Sequence, residues 1–335
     1  MTNLERLQTT GIHRLGSSKR GFRYKGLNGG SVTRSDVERI DKLRIPPAWK
    51  EVAINAAPTG RLQAVGKDVA GRWQYLYHEN HTRMQDAKKF KRLIHFAQAL
   101  PAMRTAISRD LRQPSLHRER VLACVLRILS SCSMRPGSDV YARDNGSFGI
   151  ATLRKNHVSV KGDTVNFDFP GKSGVRQTRE LKDPRVAKVM RSLLKLPGRR
   201  VFQFQNGNDE FVDVRSNHIN AYIKDVMGER FSAKDFRTWA GTLICACALA
   251  RLGTDAEDKL TTRKKKIVAA IKETADALGN TPAVCRSSYI CPNIISSFET
   301  GKTLSNCFSS VEAFLRYRGS KLHSSERALV RLLKE

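Results

Sequence analysis

The chain has 335 residues, more than the roughly 100–200 that one domain commonly needs, so its length predicts two domains. Apolar residues make up 40% of the chain, which is enough for a packed core and excludes a disordered tail protein. The 60 Lys and Arg residues outnumber the 31 Asp and Glu residues, for a formal net charge of +29. A field of this sign favours polyanionic partners, nucleic acid first and an anionic membrane second.

The sequence gives little support to a membrane partner. The longest apolar candidate, Trp239–Leu249, is shorter than the roughly 20 residues that a spanning helix needs. Residues 1–30 carry scattered charge and no hydrophobic signal-peptide core. We therefore expect neither membrane association nor export.

Cysteine usage favours a reducing compartment. The number of cysteines is odd, and most of them lie within apolar helical patterns, which is typical of buried thiols. No Cys-X-X-Cys pair or Cys/His block has the spacing of a zinc site, so we expect no metal site. The cysteines are Cys124, Cys132, Cys245, Cys247, Cys285, Cys291 and Cys307.

The N-terminal part predicts a small β-rich domain. Residues 1–30 are rich in Arg, Lys and Gly with little periodicity, which predicts a loose basic entry segment. Turn signals at Ile45-Pro46-Pro47 and Pro58-Thr59-Gly60 separate short β-prone runs. These runs are Val52–Ile54, Leu62–Val65 and Trp73–Tyr77. The pattern changes near Thr82, which predicts one domain over residues 1–82 and a second over residues 83–335.

The second part predicts a mainly helical domain with a small sheet inside it, so the expected fold class is α+β. Apolar residues recur at helical spacing in Ala87–Leu100, Glu119–Cys132, Asp183–Leu196, Ser216–Met227, Lys234–Arg251, Thr262–Leu278 and Ser309–Leu333. The β-prone runs are Val158–Val160, Thr164–Phe169 and Val175–Leu181. The turn between the last two contains Gly171-Lys172-Ser173-Gly174, which predicts a hairpin.

Two arginines lie where a strongly apolar helix meets a turn. Arg135 directly precedes Pro136-Gly137, so its side chain leaves the core. Arg237 lies near the start of another apolar helix, where a guanidinium adds to the positive end of the helix dipole and suits an anion. Among 60 basic residues, either arginine alone is more simply interpreted as a surface residue.

Lys172 and Tyr289 are the other candidates. Lys172 lies at the tip of the predicted hairpin, from which its ammonium can project into a separate groove, although a lysine at a hairpin tip is usually only solvated. Tyr289 lies in a predicted short helix that follows Gly279-Asn280-Thr281-Pro282, and alone it would be interpreted as a half-buried packing residue.

Taken together, these blocks resemble the poxvirus-type DNA topoisomerases IB of bacteria and large DNA viruses, within the tyrosine recombinase and topoisomerase IB superfamily. The blocks occur in the family's order, with fitting separations, over most of residues 45–295. They are Arg135 with Gly137 and Tyr141, the hairpin Gly171–Gly174, the run Lys234–Thr242, and Leu278–Pro282 leading to Tyr289. Upstream, Gln74-Tyr75-Leu76-Tyr77 is similar to the family's DNA-contacting strand.

The resemblance implies an enzyme that relaxes positive and negative supercoils. Such an enzyme cleaves one strand through a 3′-phosphotyrosyl intermediate, lets the free strand swivel and religates it, without ATP or an obligatory metal. Tyr289 would be the nucleophile and Lys172 the acid that protonates the 5′ oxygen. Arg135, Arg237 and Asn280 would donate to the non-bridging phosphate oxygens. The implied DNA-binding residues are Gln74, Tyr75, Tyr77, Tyr141 and Lys234.

The resemblance further implies double-stranded DNA as the partner, clamped by a monomer between the β-rich domain and the helical catalytic domain. We expect no cofactor. The expected location is the cytoplasm, with the nucleoid in a bacterium or with the virion or viral factory if the source is viral.

Three positions depart from the family pattern. Asn280 stands where many members have His, but an amide can still donate to a phosphate oxygen without a titratable group. Asp139 replaces a commoner Glu, and Cys291 stands where a His often follows the tyrosine. The segment after Gly301 has no counterpart that we can name, and it predicts a basic helical extension.

Two other classes remain open. A tyrosine recombinase or integrase uses a similar Arg/Lys/Arg/Tyr set, but it typically has His at the position of Lys234 and an all-helical N-terminal DNA-binding domain. Lys234 and the β-rich residues 32–77 therefore favour the topoisomerase. A non-catalytic basic nucleic-acid-binding protein would explain the charge, but it gives no reason for Lys172 and Tyr289 to occur in these blocks.

Overall fold

The computed structural model describes residues 1–26, 30–69, 71–208, 210–255 and 259–335. Strand pairing organises a first unit, Met1–Phe90, and helices dominate a second unit, Lys91–Glu335. This mixed composition confirms the predicted α+β fold class. Among the residues that the structure describes, each helix is too short or too polar to span a bilayer.

The first unit is one antiparallel sheet with a helix on each face. Its elements are α1 (Asn3–Thr10), β1 (Ile12–Ser17), β2 (Gly21–Lys25), α2 (Arg34–Lys42), β3 (Lys50–Ile54), β4 (Leu62–Lys67) and β5 (Trp73–Tyr77). The strand order is β2-β1-β3-β4-β5. Successive residues of β3 point to opposite faces, so Ile54 packs with Ile40 of α2, whereas Ala53 packs in a cluster with Leu7 of α1.

The predicted loose entry segment is wrong, because residues 1–26 form α1, β1 and β2. Leu7 and Ile12 are buried and attach this segment to the sheet. Most residues of β1 and β2 are exposed or half-buried, so the hairpin depends on backbone pairing and lacks the apolar alternation that marks a half-buried strand. The three strands predicted downstream are confirmed as β3, β4 and β5.

Helix α3 (Glu79–Asp110) spans the division between the units. The predicted domain boundary near Thr82 lies in its first turns. The helix continues past Pro101, where the sequence predicted its end. Met103 and Ile107 are buried beyond this proline, and their burial offsets the backbone hydrogen bond that a proline removes.

The second unit packs around α8 (Ala233–Leu252), most of which is buried. The other helices are α4 (Arg118–Ser131), α5 (Asp139–Asn145), α6 (Pro184–Lys195), α7 (Ser216–Met227), α9 (Leu260–Leu278), α10 (Pro282–Ser288), α11 (Pro292–Glu299), α12 (Val311–Arg316) and α13 (Ser324–Leu332). Helices α4, α7, α9, α11 and α13 contact α8. The prediction of one helix over Ser309–Leu333 is wrong, because the chain is extended at Tyr317 and helix α13 begins only at Ser324.

Two small sheets complete this unit. Strands β6 (Val158–Lys161), β7 (Thr164–Pro170) and β8 (Arg176–Lys182) form an antiparallel sheet, and β9 (Gln203–Gln205) pairs with β10 (Phe211–Asp213). The predicted three-stranded sheet is thus confirmed, with Val165, Phe167 and Phe169 buried along one face of β7. Six of the seven cysteines are buried, and Cys307 is partly exposed.

Candidate active site

The turn between α9 and α10 forms the centre of the site. Helix α9 ends at Leu278, and Gly279 follows with φ +62°, a left-handed conformation that favours glycine. Asn280 comes next, and Thr281 then caps α10 by accepting a hydrogen bond from the Val284 N–H. We call residues 278–280 the central turn, because the candidate side chains converge on it.

Arg237 is held rigidly beneath this turn. The residue is only 2% exposed, although it belongs to a strongly cationic chain. Its Nη2 donates to the Leu278 carbonyl at 3.0 Å, and its Nη1 donates to the Ser133 carbonyl. Its guanidinium carbon lies 5.0 Å from the centroid of the Tyr289 ring. The interpretation of Arg237 alone as a surface residue is therefore wrong.

Arg135 and Asn280 are joined on the same turn. The Nη2 of Arg135 donates to the Gly279 carbonyl at 3.2 Å and to Oδ1 of Asn280. The Asn280 amide nitrogen is buried and has no hydrogen-bond partner in the described structure. A buried donor without a partner is costly, so this N–H₂ group is available to an incoming acceptor such as a phosphate oxygen.

Tyr289 follows the last residue of α10 and is half-buried. Burial raises the pKa of its phenol, but the charge and hydrogen bonding of Arg237, with the charges of Arg135 and Lys172, outweigh burial. The pKa therefore lies below its ordinary value of 10.0. A lowered pKa makes the phenolate more accessible, which suits a nucleophile.

Lys172 lies in the tip of the β7–β8 hairpin and is exposed. The next two residues, Ser173 and Gly174, have φ angles of +61° and +74°, so the tip turns sharply. The described structure gives the Lys172 ammonium no hydrogen bond or ion pair, yet its charge contributes to lowering the pKa of Tyr289. The hairpin thus brings this cation toward the tyrosine without fixing it there.

The remaining sequence candidates are solvent-accessible. Tyr141 on α5 is 47% exposed, and Lys234 in the first turn of α8 is exposed. In the first unit, Tyr75 and Tyr77 of β5 are 44% and 42% exposed, with their rings stacked 6.4 Å apart. Gln74 on the same strand donates from Nε2 to Asp68 at 2.9 Å. These side chains are exposed or half-buried, in contrast to the buried Arg237 at the central turn.

Two comparisons with known proteins bear on this arrangement. Residues 78–300 match the family model described as eukaryotic DNA topoisomerase I, catalytic core, and residues 21–68 match that of the bacterial DNA topoisomerase IB N-terminal domain. The chain is 38% identical over 287 residues to DNA topoisomerase 1B of Acanthamoeba polyphaga mimivirus, covering 84% of this chain and 85% of the relative. It is 26% identical over 278 residues to DNA topoisomerase 1B of vaccinia virus strain Copenhagen, covering 80% and 84% respectively.

The chain belongs to the DNA topoisomerase IB family. It is a DNA topoisomerase, an isomerase, and its substrate is DNA. The family and fold class inferred from sequence are thus confirmed, whereas the roles of individual residues remain predictions.

Two residues of this topoisomerase that the sequence did not assign a role support the backbone at Tyr289. The fully buried Thr242 donates from Oγ1 to the Tyr289 carbonyl at 3.1 Å and accepts from the Cys291 N–H at 3.1 Å. A Cβ on Gly241 would lie 2.9 Å from the Tyr289 carbonyl oxygen. Both residues stand in the run Lys234–Thr242, but only the packing of α8 against the tyrosine segment shows what they contact.

A third arginine was also missed. Arg179 of β8 lies beside the central turn, because its Nη2 would be 2.9 Å from a Cβ added to Gly279. It lines the same small cleft as Arg135 and Arg237. The available signal was the strand alternation of Gln177, Arg179 and Leu181, which places an arginine on the inward face of β8.

Proposed function

We propose that this topoisomerase relaxes supercoils of both signs through a transient single-strand break in which Tyr289 carries the DNA 3′ phosphate. The main support for the proposal is that Arg135, Arg237 and the unpartnered Asn280 amide converge on the central turn. Beside them lies Tyr289, whose pKa is lowered. This set contains a nucleophile and donors for the charge that develops on phosphorus-bound oxygens.

In the cleavage step, the Tyr289 phenol loses its proton to solvent, its oxygen attacks the scissile phosphorus, and the bond to the 5′ oxygen breaks. The two guanidinium groups and the Asn280 N–H₂ donate to the non-bridging oxygens, where negative charge increases in the transition state. Since Arg237 is already fixed by two backbone carbonyls, little reorganisation is needed when the phosphate arrives. Resealing reverses these steps.

Lys172 supplies the proton to the departing 5′ oxygen. An alkoxide is a poor leaving group at neutral pH, so a positioned acid accelerates its departure. The ammonium stands on an exposed hairpin tip and can reach the leaving oxygen when DNA lies over the cleft. In resealing, the same side chain accepts the proton of the 5′ hydroxyl.

The chemistry as proposed requires neither ATP nor a metal ion. The phosphotyrosyl bond retains the energy of the phosphodiester, so resealing needs no external source. Arginine and lysine side chains supply the positive charge and the proton. Swivelling about the intact strand has no preferred sense, so positive and negative supercoils are both substrates.

We further infer that a monomer clamps the duplex with both units. The net charge of +29 supports sequence-independent phosphate binding. In this proposal Gln74, Tyr75 and Tyr77 contact DNA from the first unit, and Tyr141 and Lys234 contact it from the second. A tyrosine recombinase is disfavoured by the match of residues 21–68 to the topoisomerase N-terminal domain.

A relaxation assay in EDTA without ATP tests the proposal, with positively and negatively supercoiled plasmids in parallel. The wild type should relax both. Tyr289→Phe should relax neither and form no covalent adduct on a denaturing gel, while its duplex affinity stays within a few-fold. Activity only with Mg²⁺ and only on negative supercoils would contradict the proposal. An adduct that persists in Tyr289→Phe would assign the attack to another of the seven tyrosines.

A further inference from the structure

The central turn is surrounded by three guanidinium groups, of which the proposed mechanism uses two. Arg237 donates to the Leu278 carbonyl, and Arg135 donates to the Gly279 carbonyl. The third, Arg179, lies beside Gly279. A Cβ there would lie 2.9 Å from Arg179 Nη2 and 2.4 Å from Oε1 of Gln177.

Strand β8 holds the Arg179 side chain in place. Its Nη1 donates to the Thr178 carbonyl at 2.9 Å, and its Nη2 donates to Oε1 of Gln177 at 3.0 Å. A guanidinium has five N–H donors, so these two bonds leave others available. The same strand forms the hairpin that carries Lys172, and Arg179 lies where this strand approaches the turn that carries Asn280.

The three positive charges are not balanced by the protein. In the part of the chain that the structure describes, no carboxylate pairs with Arg135, Arg179 or Arg237. Burial lowers the pKa of Arg135, and the charges of Arg237 and Arg179 lower it further. Burial likewise lowers the pKa of Arg179, with a smaller contribution from Arg237. Cations that are held close together without a carboxylate partner repel one another. An anion that binds between them relieves this repulsion and is therefore bound favourably.

We propose that Arg179 is a further phosphate-binding residue of this site, which contacts the DNA phosphate next to the scissile one. The inference rests on the proposed function. Arg135, Arg237 and Asn280 already supply donors for the scissile phosphate, so the free N–H groups of Arg179 bind the neighbouring phosphate. This contact holds the strand in register over the central turn and positions the scissile phosphate for Tyr289.

Strand β8 offers a matched control three residues earlier. Arg176 is exposed and donates from Nε to Asp168 at 2.6 Å, and its Nη2 contacts the same carboxylate. Its charge is balanced locally, and it does not line the cleft. Arg176→Gln and Arg179→Gln therefore remove the same group from the same strand with different expected results.

The experiment measures single-turnover cleavage of duplexes in which one phosphate at a time is replaced by a neutral methylphosphonate. Arg179→Gln should slow cleavage of ordinary DNA about 10-fold or more, the usual size of one charge-assisted hydrogen bond. At one position next to the cleavage site, the methylphosphonate should slow cleavage by the wild type by a similar factor. The same methylphosphonate should not slow Arg179→Gln below its rate on ordinary DNA, because this variant has already lost the contact. Arg179→Lys should recover part of the cleavage rate. Each methylphosphonate should slow Arg176→Gln by the same factor as it slows the wild type.

Two results would overturn the inference. In the first, Arg179→Gln cleaves ordinary DNA at the wild-type rate. In the second, Arg179→Gln cleaves ordinary DNA more slowly, but each methylphosphonate still slows this variant by the same factor as the wild type. The second result would make Arg179 a support for Gln177 and Gly279 only. Either result counts against the inference only if the wild-type protein forms the Tyr289 adduct. A wild-type protein that forms no adduct would refute the proposed function instead.

Discussion

The central turn and the β7–β8 hairpin tip carry the two halves of the proposed chemistry in contrasting ways. At the turn, Arg237 is 2% exposed and bonded to two backbone carbonyls, and Arg135 is bonded to Gly279 and Asn280. At the tip, Lys172 is exposed and makes no hydrogen bond in the described structure. In the proposed mechanism, the groups that stabilise charge are therefore preorganised, whereas the proton donor reaches its working geometry only when DNA is bound.

Among variants that keep the nucleophile, the largest effect should follow loss of the hairpin cation. Lys172→Ala should slow cleavage of ordinary DNA by roughly 10²–10⁴-fold, the usual contribution of a general acid. A 5′-bridging sulfur gives a thiolate leaving group, with a thiol pKa of roughly 8.5, which departs without a proton. Single-turnover cleavage of the sulfur substrate should therefore be nearly equal in the wild type and Lys172→Ala. Equal impairment on both substrates would leave Lys172 as a DNA-positioning contact only.

Arg237→Ala should behave differently on the same two substrates. Cleavage should slow by roughly 10²–10³-fold on each, because a preorganised donor to the phosphate is lost whichever atom leaves. Arg135→Ala should follow the same pattern. Thermal melting and duplex binding serve as controls for folding, since Arg237 is buried. A loss below about threefold in a folded variant would contradict transition-state stabilisation by that arginine.

Substitution of Thr242 tests whether the hydrogen bonds of its side chain to the tyrosine segment position the Tyr289 phenol. Thr242→Val removes the hydrogen bonds to the Tyr289 carbonyl and the Cys291 N–H without changing the side-chain shape greatly. We expect cleavage to slow by roughly 10-fold or more through misplacement of the phenol, and Thr242→Ser to restore most of the rate. Duplex affinity should not change. Equal rates for the Val and Ser variants would show that these bonds do not position Tyr289.

Asn280 should contribute less than either arginine. Asn280→Ala removes one neutral donor, which predicts a loss of about 10-fold in cleavage rate. Asn280→His should retain activity, and its rate should show no titration centred near the ordinary His pKa of roughly 6.5 if the group only donates a hydrogen bond. A strong rate change centred there would show that this position transfers a proton.

The smallest effect concerns the acidity of Tyr289 in the DNA-free protein. Since nearby cations lower its pKa below 10.0, tyrosinate should form at lower pH than in a free tyrosine. Arg237→Met should move this titration to higher pH, and Lys172→Met should move it in the same direction by less. The absorbance of tyrosinate, measured against Tyr289→Phe at each pH, reports the shift. A larger shift from Lys172 would place the hairpin closer to the phenol than the described structure does.

Local pattern was enough to predict the α+β class and most helices of the second unit, and the resemblance of the motif blocks to a known family predicted the family. Helix α7 begins and ends at the predicted residues, Ser216 and Met227, because apolar spacing and a following glycine mark both ends. The motif blocks likewise singled out Arg135, Lys172, Arg237, Asn280 and Tyr289 as candidates. These signals work because each depends on residues that are neighbours in the chain.

Contacts between distant segments required the tertiary structure. Strands β1 and β2 carry little apolar alternation, and their place is decided by pairing with β3 and by the burial of Ile12. Arg179, Thr242 and Gly279 acquire their significance only where β8, α8 and the end of α9 meet. Burial, hydrogen-bond partners and the mutual repulsion of like charges depend on distances across the fold. They are set by residues that are far apart in the chain, such as Arg135 and Asn280, which are 145 positions apart.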